Sequence, residues 1–307
     1  GLSLNNQNKN AKPSNYVELP QKHHSVVTSL ELNNDGRVNL NSFTLSGLKS
    51  TYPSNKYSVQ QSKDSQISTI VVKDNKENVV LSVTDTLNGK TITFHSSKDS
   101  YKSVQVNKLG EIYSYTVAEP VGDNVRRTTF NPNDRFPVNI FELYPNGSRL
   151  MTNLDSKTGK IRFQDYWEKG ANSATWSVEY SDGKPYKKVQ GSQAEYILVK
   201  DLEKDITATN AIGLPTTRSS LSDNVLKRIT NENVIETLEE YKNSTGRDLM
   251  QDINEEYGLS STLRDKLINH IESLYYKAAN PEESGKLLAN KLYEELNNKD
   301  INLILFR

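Results

Sequence analysis

The sequence predicts an α+β protein in which an antiparallel β domain, either a meander or a sandwich, precedes a C-terminal bundle of helices. Hydrophobic residues recur with a period of two in residues 25–198 and with helical spacing in residues 199–307. Charge changes at the same place: residues 199–307 hold 14 Lys/Arg and 19 Asp/Glu, whereas residues 1–198 hold 24 and 19. A chain of 307 residues is long enough for two such domains.

Composition excludes several classes of protein. Lys plus Arg and Asp plus Glu each number 38, so the chain lacks the excess of basic residues typical of a nucleic-acid-binding protein. Cysteine is absent, which excludes disulfides, thiolate metal sites and a cysteine nucleophile. No apolar run approaches 18 residues, so we expect no transmembrane segment. The remaining partners to consider are a protein or a membrane surface.

Residues 1–24 are predicted to form a disordered tail. The run Asn5–Asn10 is entirely polar and cannot bury enough apolar surface to offset the entropy of ordering. His23 and His24 are adjacent, and neighbouring side chains of an extended chain point apart, which disfavours a shared metal ion. The N-terminus shows no basic segment followed by an apolar run, so a signal peptide either has been removed or did not exist.

Residues 25–198 are predicted to form antiparallel strands joined by tight turns. Ile92 and Phe94 alternate with threonines, a pattern that places one face of a strand on a core and the other in water. The same alternation relates Tyr113, Tyr115 and Val117. Hairpin turns are indicated where Gly follows Asn or Asp, since these residues adopt the positive φ that such turns require. The clearest of these dipeptides are Asn88-Gly89, Asn146-Gly147 and Asp182-Gly183.

Aromatic residues are concentrated in the second half of this β domain. The chain has 16 Tyr but only 7 Phe and 2 Trp, and tyrosine is favoured both on half-exposed strands and on binding surfaces. One interpretation is a strand-rich core with solvated edges. The alternative is an exposed recognition face, composed of Tyr144, Tyr166, Trp167, Trp176, Tyr180 and Tyr186.

Residues 199–307 are predicted to be helical. Leu249, Ile253 and Tyr257 are spaced to share one helical face, as are the apolar residues of the segments on either side. Ser261 is a good N-cap for the next helix, because its hydroxyl can accept a hydrogen bond from a free amide of the first turn. Short connections between these segments predict neighbouring helices packed against each other.

Two segments resemble known repeat families. Residues 241–249, Tyr-Lys-Asn-Ser-Thr-Gly-Arg-Asp-Leu, resemble the annexin repeat, in which a helix leads through Gly-Arg-Asp-Leu into the next helix. Residues 211–217 resemble the loop between the first two annexin helices, and residues 286–306 resemble the start of a second repeat. In the β domain, residues 143–186 resemble bacterial hairpin repeats of the MORN-variant type, which carry Tyr and Asp-Gly at their turns.

The annexin resemblance implies a calcium site and a membrane surface as partner. The implied ligands are the backbone carbonyls of Ala211, Gly213 and Pro215 with the carboxylate of Glu256, an all-oxygen set of the kind that calcium accepts. Pro215 stands where the family has a glycine and Thr217 where it has the loop aspartate. A single carboxylate and a proline-stiffened loop imply weak binding.

Catalytic motifs do not emerge from the sequence. Serines lie outside Gly-x-Ser-x-Gly, and neither a His-Glu-x-x-His, an EF-hand loop nor a Walker loop occurs. We therefore expect a non-enzymatic interaction protein that pairs a Tyr-rich β domain with a helical module. The high Asn, Lys and Ser content favours a bacterial protein that is secreted or displayed at the cell surface. Two alternatives stay open: an annexin-like peripheral membrane binder, and a secreted toxin or effector enzyme whose site is assembled from distant residues.

Overall fold

A computed structural model describes residues 30, 32–212, 216–257 and 261–283, together with residues 286, 289, 290 and 293. Several sequence predictions lie outside the described residues: the tail 1–24, Gly213, Pro215, and most of the second annexin-like repeat at 286–306. Within the described part, thirteen antiparallel strands form one sheet in which every strand neighbours the strands adjacent to it in sequence. Helices follow the last strand. The predicted α+β class is confirmed, and its β part is a meander.

The strands follow one another closely along the chain. Their bounds are β1 Tyr57–Asp64, β2 Ile67–Asp74, β3 Val79–Thr86, β4 Gly89–His95, β5 Tyr101–Asn107, β6 Ile112–Val121, β7 Asn124–Phe130, β8 Asn139–Leu143, β9 Arg149–Leu154, β10 Ile161–Trp167, β11 Trp176–Ser181, β12 Lys184–Gln190 and β13 Gln193–Tyr196. Two compact units divide between Ser177 and Val178, within β11. The change from strand to helix comes later, between Tyr196 and Ile197.

The three hairpin signals of the sequence all mark turns between consecutive strands. Gly89 pairs with Thr86 at the β3–β4 turn and has a φ of +149°. Gly147 lies between β8 and β9 with a φ of +86°. Asp182 and Gly183 join β11 to β12, both with positive φ. The predicted turns are confirmed: the glycine has a positive φ in all three and Asp182 shares it, whereas Asn88 and Asn146 do not.

A single core lies on one face of the sheet in the first unit. A 3₁₀ turn at Leu40–Phe43 leads into helix α1, Leu45–Thr51, whose N-cap Thr44 accepts a hydrogen bond from the amide of Gly47 at 3.2 Å. The turn and the helix contribute buried apolar side chains to this core, as do strands β2 to β7. Its members include Phe43, Leu48, Ile70, Val72, Leu81, Val83, Ile92, Val104, Val106, Tyr115 and Phe130.

One predicted alternation fails at Tyr113. Tyr115 is fully buried, as expected, but 51% of the Tyr113 surface is exposed. The pairing of β5 with β6 shifts register between Gln105 and Val106, so Ile112 lies opposite Val106 and packs against the core in place of Tyr113. This β-bulge inserts one extra residue into β6 and reverses the sides of the residues before it.

The second unit contains the remaining helices. Their bounds are α2 Ile197–Ile212, α3 Thr216–Asp223, α4 Val234–Thr245, α5 Leu249–Tyr257 and α6 Thr262–Ala279, with a π-helical turn at Asn224–Arg228. The predicted face of Leu249, Ile253 and Tyr257 is buried in the core of this unit. Gly246 ends α4 with a φ of +72°, and Ser261 accepts a hydrogen bond from the amide of Arg264, which confirms it as the N-cap of α6.

Buried polar groups connect the helices of this unit. The hydroxyl of Tyr241 donates to Oδ2 of Asp252 at 2.6 Å, and Nε of Arg247 donates to the same oxygen at 2.9 Å. Tyr241 and Asp252 are both buried. Burial favours the neutral phenol, and the Asp252 carboxylate accepts a hydrogen bond from its hydroxyl, so the pKa of Tyr241 is raised. These contacts join α4 to α5 and to the loop between them.

Candidate functional site

A continuous row of polar side chains crosses the sheet of the first unit. It contains one residue from each of seven neighbouring strands, each directly opposite the next in the strand register. We call this row the polar ladder; its members are Ser82, Thr93, Ser103, Thr116, Thr129, Asn139 and Asn153. Neighbouring strands lie about 4.8 Å apart, so the ladder presents a polar group at that interval at right angles to the strands.

The polar ladder lies on the face opposite the core. Thr116 follows the buried Tyr115 in β6, and Thr129 precedes the buried Phe130 in β7. Because successive side chains of a strand point to opposite faces, the positions next to core residues form the other surface. The same strands therefore provide an apolar face and a hydroxyl-rich face.

Hydrogen bonds order the side chains of the polar ladder. The hydroxyl oxygens of Thr93 and Ser103 are 3.1 Å apart, and those of Thr116 and Thr129 are 3.2 Å apart. Gln105, two residues after Ser103 in β5, donates from Nε2 to the Ser103 hydroxyl at 3.0 Å. Each hydroxyl has one proton to donate and two lone pairs, so these pairings leave some of its capacity for a ligand.

A second row of residues runs beside the polar ladder and includes three large side chains, those of Tyr101, Arg127 and Phe141. Tyr101 pairs with Ala118, Ala118 with Arg127, and Arg127 with Phe141. Between the large side chains of this row and the small ones of the polar ladder lies a groove of about 550 Å³. Its lining is formed by Ser82, Thr91, Thr93, His95, Tyr101, Ser103, Gln105, Thr116, Arg127, Thr129 and Phe141.

Arg127 is the charged group of the groove. Its guanidinium carbon lies 4.7 Å from the centroid of the Phe141 ring, a cation–π geometry that fixes the side chain against the sheet. Its Nε is buried, and no described residue accepts a hydrogen bond from it. No carboxylate among the described residues forms an ion pair with Arg127. A positive charge held in this way favours a ligand that carries a hydrogen-bond acceptor or a negative charge.

Two amides extend the polar ladder beyond the groove. Asn139 and Asn153 face each other on β8 and β9. The side-chain oxygen of each is buried, and no donor in the described part of the chain reaches it. Because these oxygens are closed off from the surface, the part of each amide that can serve a ligand is the NH₂ group, which has two hydrogens to donate.

One histidine lies at the edge of the groove. Nε2 of His95 is 3.4 Å from the hydroxyl oxygen of Ser82, and its ring centroid is 5.4 Å from that of Tyr101. The distance to Ser82 is long for a hydrogen bond. In this arrangement His95 serves as a polar wall of the groove that can donate or accept according to its tautomer.

The six aromatic residues predicted as one recognition face do not share a face. Tyr166 and Trp167 are consecutive in β10 and so point to opposite sides of the sheet. Tyr166 stacks on Trp176 with 5.2 Å between ring centroids, on the side of the sheet that carries the core. Trp167 lies on the polar side, 6.4 Å from Phe141, with Arg149 over its ring. Only Trp167 adjoins the candidate site.

The other three predicted aromatic residues make local contacts. The hydroxyl of Tyr144 donates to Oε2 of Glu142 at 3.0 Å, and Glu142 also pairs with Arg126. In the second unit, the hydroxyl of Tyr186 donates to Glu179. Tyr180 is half-buried, and burial raises its pKa. Their role in recognition stays a prediction.

The calcium prediction rests on residues that the structure describes only in part. Ala211 lies within helix α2, while Gly213 and Pro215 lie outside the described residues. Glu256 is in α5, where only 8% of its surface is exposed. In the described part of the chain, no group of three or more His, Asp or Glu side chains is placed to hold a metal ion. Calcium binding stays a prediction.

A second cavity, of about 530 Å³, lies among helices α4, α5 and α6. Its wall combines the apolar side chains of Leu238, Met250 and Ile271 with several charged ones. Tyr275 on α6 borders it and is about half exposed. Of the helices that the structure describes, none has the length and apolar character needed to span a membrane.

Sequence reasoning missed the polar ladder because its members are scattered over 72 positions from Ser82 to Asn153. Each is an ordinary Ser, Thr or Asn. The available signal was the polar half of the alternation: Thr91 and Thr93 flank the buried Ile92. Extended to every strand, that pattern predicts a polar face, although only the register shows which residues face each other.

Comparisons with known proteins identify no family. No protein-family model matches the chain, and no curated protein sequence matches it significantly. Among solved structures, the chain resembles a GtfA/B complex at a TM-score of 0.20 and 8% identity, over 60% of this chain and 31% of that one. It also resembles the pneumococcal O-GlcNAc transferase GtfA in complex with UDP and GlcNAc, at a TM-score of 0.16 and 7% identity, over 54% and 26%. The chain thus spans less than a third of either structure, and likeness at these TM-scores supports no inference about fold or function.

Proposed function

We propose that the chain is a non-enzymatic recognition protein that binds a polar ligand along the polar ladder and its groove. The observation that carries this proposal is the groove itself, which combines hydroxyl and amide side chains with a partly buried cation, Arg127. An exported bacterial protein that contacts a protein or a surface, as the composition favours, is part of the same proposal.

Side chains carry the recognition, because the backbone is already occupied. The strands of the groove, β3 to β8, lie in the interior of the sheet, where each is paired on both sides. Their amide and carbonyl groups are therefore used in strand pairing and are not free to bind a further strand. A ligand on this face meets hydroxyl, amide, imidazole and guanidinium groups.

The mixture of groups favours binding over a chemical step. The hydroxyls of Thr116 and Thr129 pair with each other and have no adjacent base, and the 3.4 Å between Ser82 and Nε2 of His95 is long for the hydrogen bond that activates a nucleophile. They do provide donors and acceptors in fixed positions, which is what selective binding of a polar molecule requires.

The test is to map binding by NMR with a panel of probes. Oligosaccharides, a Ser/Thr-rich peptide and inorganic phosphate are each titrated into ¹⁵N-labelled protein. We expect at least one probe to shift amide signals of β3 to β8 in a saturable manner. If every shift falls outside those strands, the proposal is wrong.

Two tryptophan substitutions test whether the groove itself is the binding site. Thr93→Trp places a large side chain in the groove, whereas Gln60→Trp places the same side chain in the same cross-strand row on the exposed edge strand β1. We expect Thr93→Trp to abolish the shifts and Gln60→Trp to preserve them.

A further inference from the structure

We propose that the ligand of the polar ladder is an extended acidic glycan that lies across the strands, with a carboxylate or similar anionic group at Arg127. This inference rests on the proposed function and names its ligand class. It follows from the spacing of the polar ladder, from the donors and acceptors along it, and from the charge of Arg127.

The spacing of the polar ladder distinguishes a glycan from a peptide. A polar group recurs about every 4.8 Å across the strands, an interval close to the length of one sugar residue in an extended glycan. An extended polypeptide advances about 3.3 Å per residue and places side chains of one side about 6.6 Å apart, so it does not keep step with the ladder. Successive sugar residues can each contact one residue of the polar ladder, from Ser82 to Asn153.

The donors and acceptors of the polar ladder suit hydroxyl groups. Asn139 and Asn153 continue the polar ladder with side-chain amides, and an amide NH₂ group has two hydrogens to donate to a ligand oxygen. The hydroxyls of Thr116 and Thr129 can donate to the ligand or accept from it. A sugar hydroxyl is likewise both donor and acceptor, so it can satisfy each kind of residue in the polar ladder without a change in the protein.

The wall of the groove provides apolar contacts beside these polar ones. Tyr101 and Phe141 both line it, on the row next to the polar ladder. Aromatic side chains present large apolar surfaces, and the ring faces of sugars carry C–H groups that pack against such surfaces. This pairing of aromatic wall and polar floor fits a molecule with polar edges and less polar faces.

Arg127 selects for an anionic group. Its charge is not balanced by a carboxylate among the described residues, and its Nε has no acceptor there. Hydrogen bonds between a guanidinium group and a carboxylate are about twice as strong as neutral ones. A neutral glycan leaves this cation uncompensated, so an acidic glycan of the same length binds better.

The experiment uses the full chain and two defined probes. Hexagalacturonate is the acidic glycan, and its fully methyl-esterified form is the neutral one of equal length and linkage. We expect hexagalacturonate to shift amide signals of β4 to β9, and to bind about tenfold more tightly than its methyl ester, the difference of one charged hydrogen bond. The difference should shrink as salt is raised.

Variants separate the contribution of Arg127 from that of charge in general. Arg127→Met removes the cation and keeps an apolar side chain over Phe141; we expect about tenfold weaker binding of hexagalacturonate. Arg126→Met removes the adjacent charge, which lies on the opposite face in an ion pair with Glu142, and should leave the affinity unchanged. Asn153→Leu is a second, charge-neutral variant and should weaken binding of both glycans several-fold.

The outcomes separate this inference from the proposed function. Equal affinity for the two glycans, or loss of binding with Arg126→Met but not Arg127→Met, overturns the acidic-glycan inference. Binding of the Ser/Thr-rich peptide in the groove, without either glycan, overturns it while leaving the proposed function intact. If none of the probes binds in the groove, both the acidic-glycan inference and the proposed function are overturned. If Arg127→Met does not fold, the wild-type comparison and Asn153→Leu still decide the question.

Discussion

The two faces of the meander use alternate residues of the same strands, and one face is apolar while the other is polar. Tyr115 is fully buried and stacks on Phe130 with 5.1 Å between ring centroids, whereas the next residue, Thr116, meets Thr129 in the polar ladder. Backbone pairing is common to both faces, so side-chain position alone decides which face forms the core and which carries the polar ladder. The comparison teaches that alternate residues of one segment can be assigned to two different tasks: one set builds the core, and the other is free to form a polar surface.

The largest test of this comparison is truncation on the core side. Tyr115→Ala removes a fully buried ring and should cost roughly 3–5 kcal/mol of unfolding free energy. Thr116→Ala, on the polar side, should cost less than about 1 kcal/mol. Urea denaturation measures both. Similar costs for the two variants would show that the faces do not differ in the way described.

The turn between β3 and β4 requires a glycine at position 89. Gly89 has a φ of +149°, and an added Cβ would collide with the carbonyl oxygen of Val106. Gly89→Ala should therefore cost about 3 kcal/mol, from backbone strain and from the clash. Gly122→Ala is the matched control, since its φ of +61° carries strain but no atom lies within 4 Å of the added carbon; it should cost about 1 kcal/mol. Thermal denaturation of the two variants provides the measurement, and equal losses would show that close packing at Gly89 is unimportant.

The stability of the folded protein at alkaline pH tests the burial of Tyr115, because ionisation changes its charge and leaves the size of the side chain almost unchanged. Burial raises the pKa of Tyr115 above its value of about 10 in the unfolded chain. Above pH 10 the unfolded state releases this proton and the folded state keeps it, so stability falls as pH rises, by up to about 1.4 kcal/mol per pH unit for one group. Tyr115→Phe should reduce this slope for the first unit in urea titrations between pH 9 and 11. An unchanged slope would contradict the assignment to Tyr115.

The smallest expected effect is on the polar side. Thr129→Val removes one hydroxyl of the pair with Thr116 and should cost about 0.5–1 kcal/mol. Thr128→Val, one residue away on the core side, should change the stability by less than about 0.5 kcal/mol. The informative readout is therefore glycan titration beside urea denaturation, because Thr129→Val should weaken binding and Thr128→Val should not. Equal binding by both variants would remove Thr129 from the site.

The sequence predicts local structure more successfully than the site. Turns at Asn88-Gly89 and Asn146-Gly147 depend on the positive φ of a glycine between two strands, so a short local signal is enough to find them. The helical face of Leu249, Ile253 and Tyr257 depends on spacing alone and is confirmed. These features are encoded within a few residues of where they occur.

Features that depend on register are not encoded locally. The bulge before Tyr115 exposes Tyr113, although both tyrosines have the same parity in the sequence. The predicted recognition face fails as a single face for a related reason, since Tyr166 and Trp167 were grouped by nearness in sequence and lie on opposite sides of β10. The polar ladder required the pairing of seven strands, and a single residue of slip between any two of them would break it.

The order of the strands has a consequence for how the chain folds. Each strand pairs only with strands adjacent to it in sequence, so the loops that must close are short hairpins rather than long crossovers. A low contact order of this kind is associated with fast folding among β proteins. It also makes the sheet quasi-one-dimensional, so that hairpins can form independently and add to one another, as repeat proteins do. The backbone pairing of each strand should consequently depend mainly on the two strands beside it.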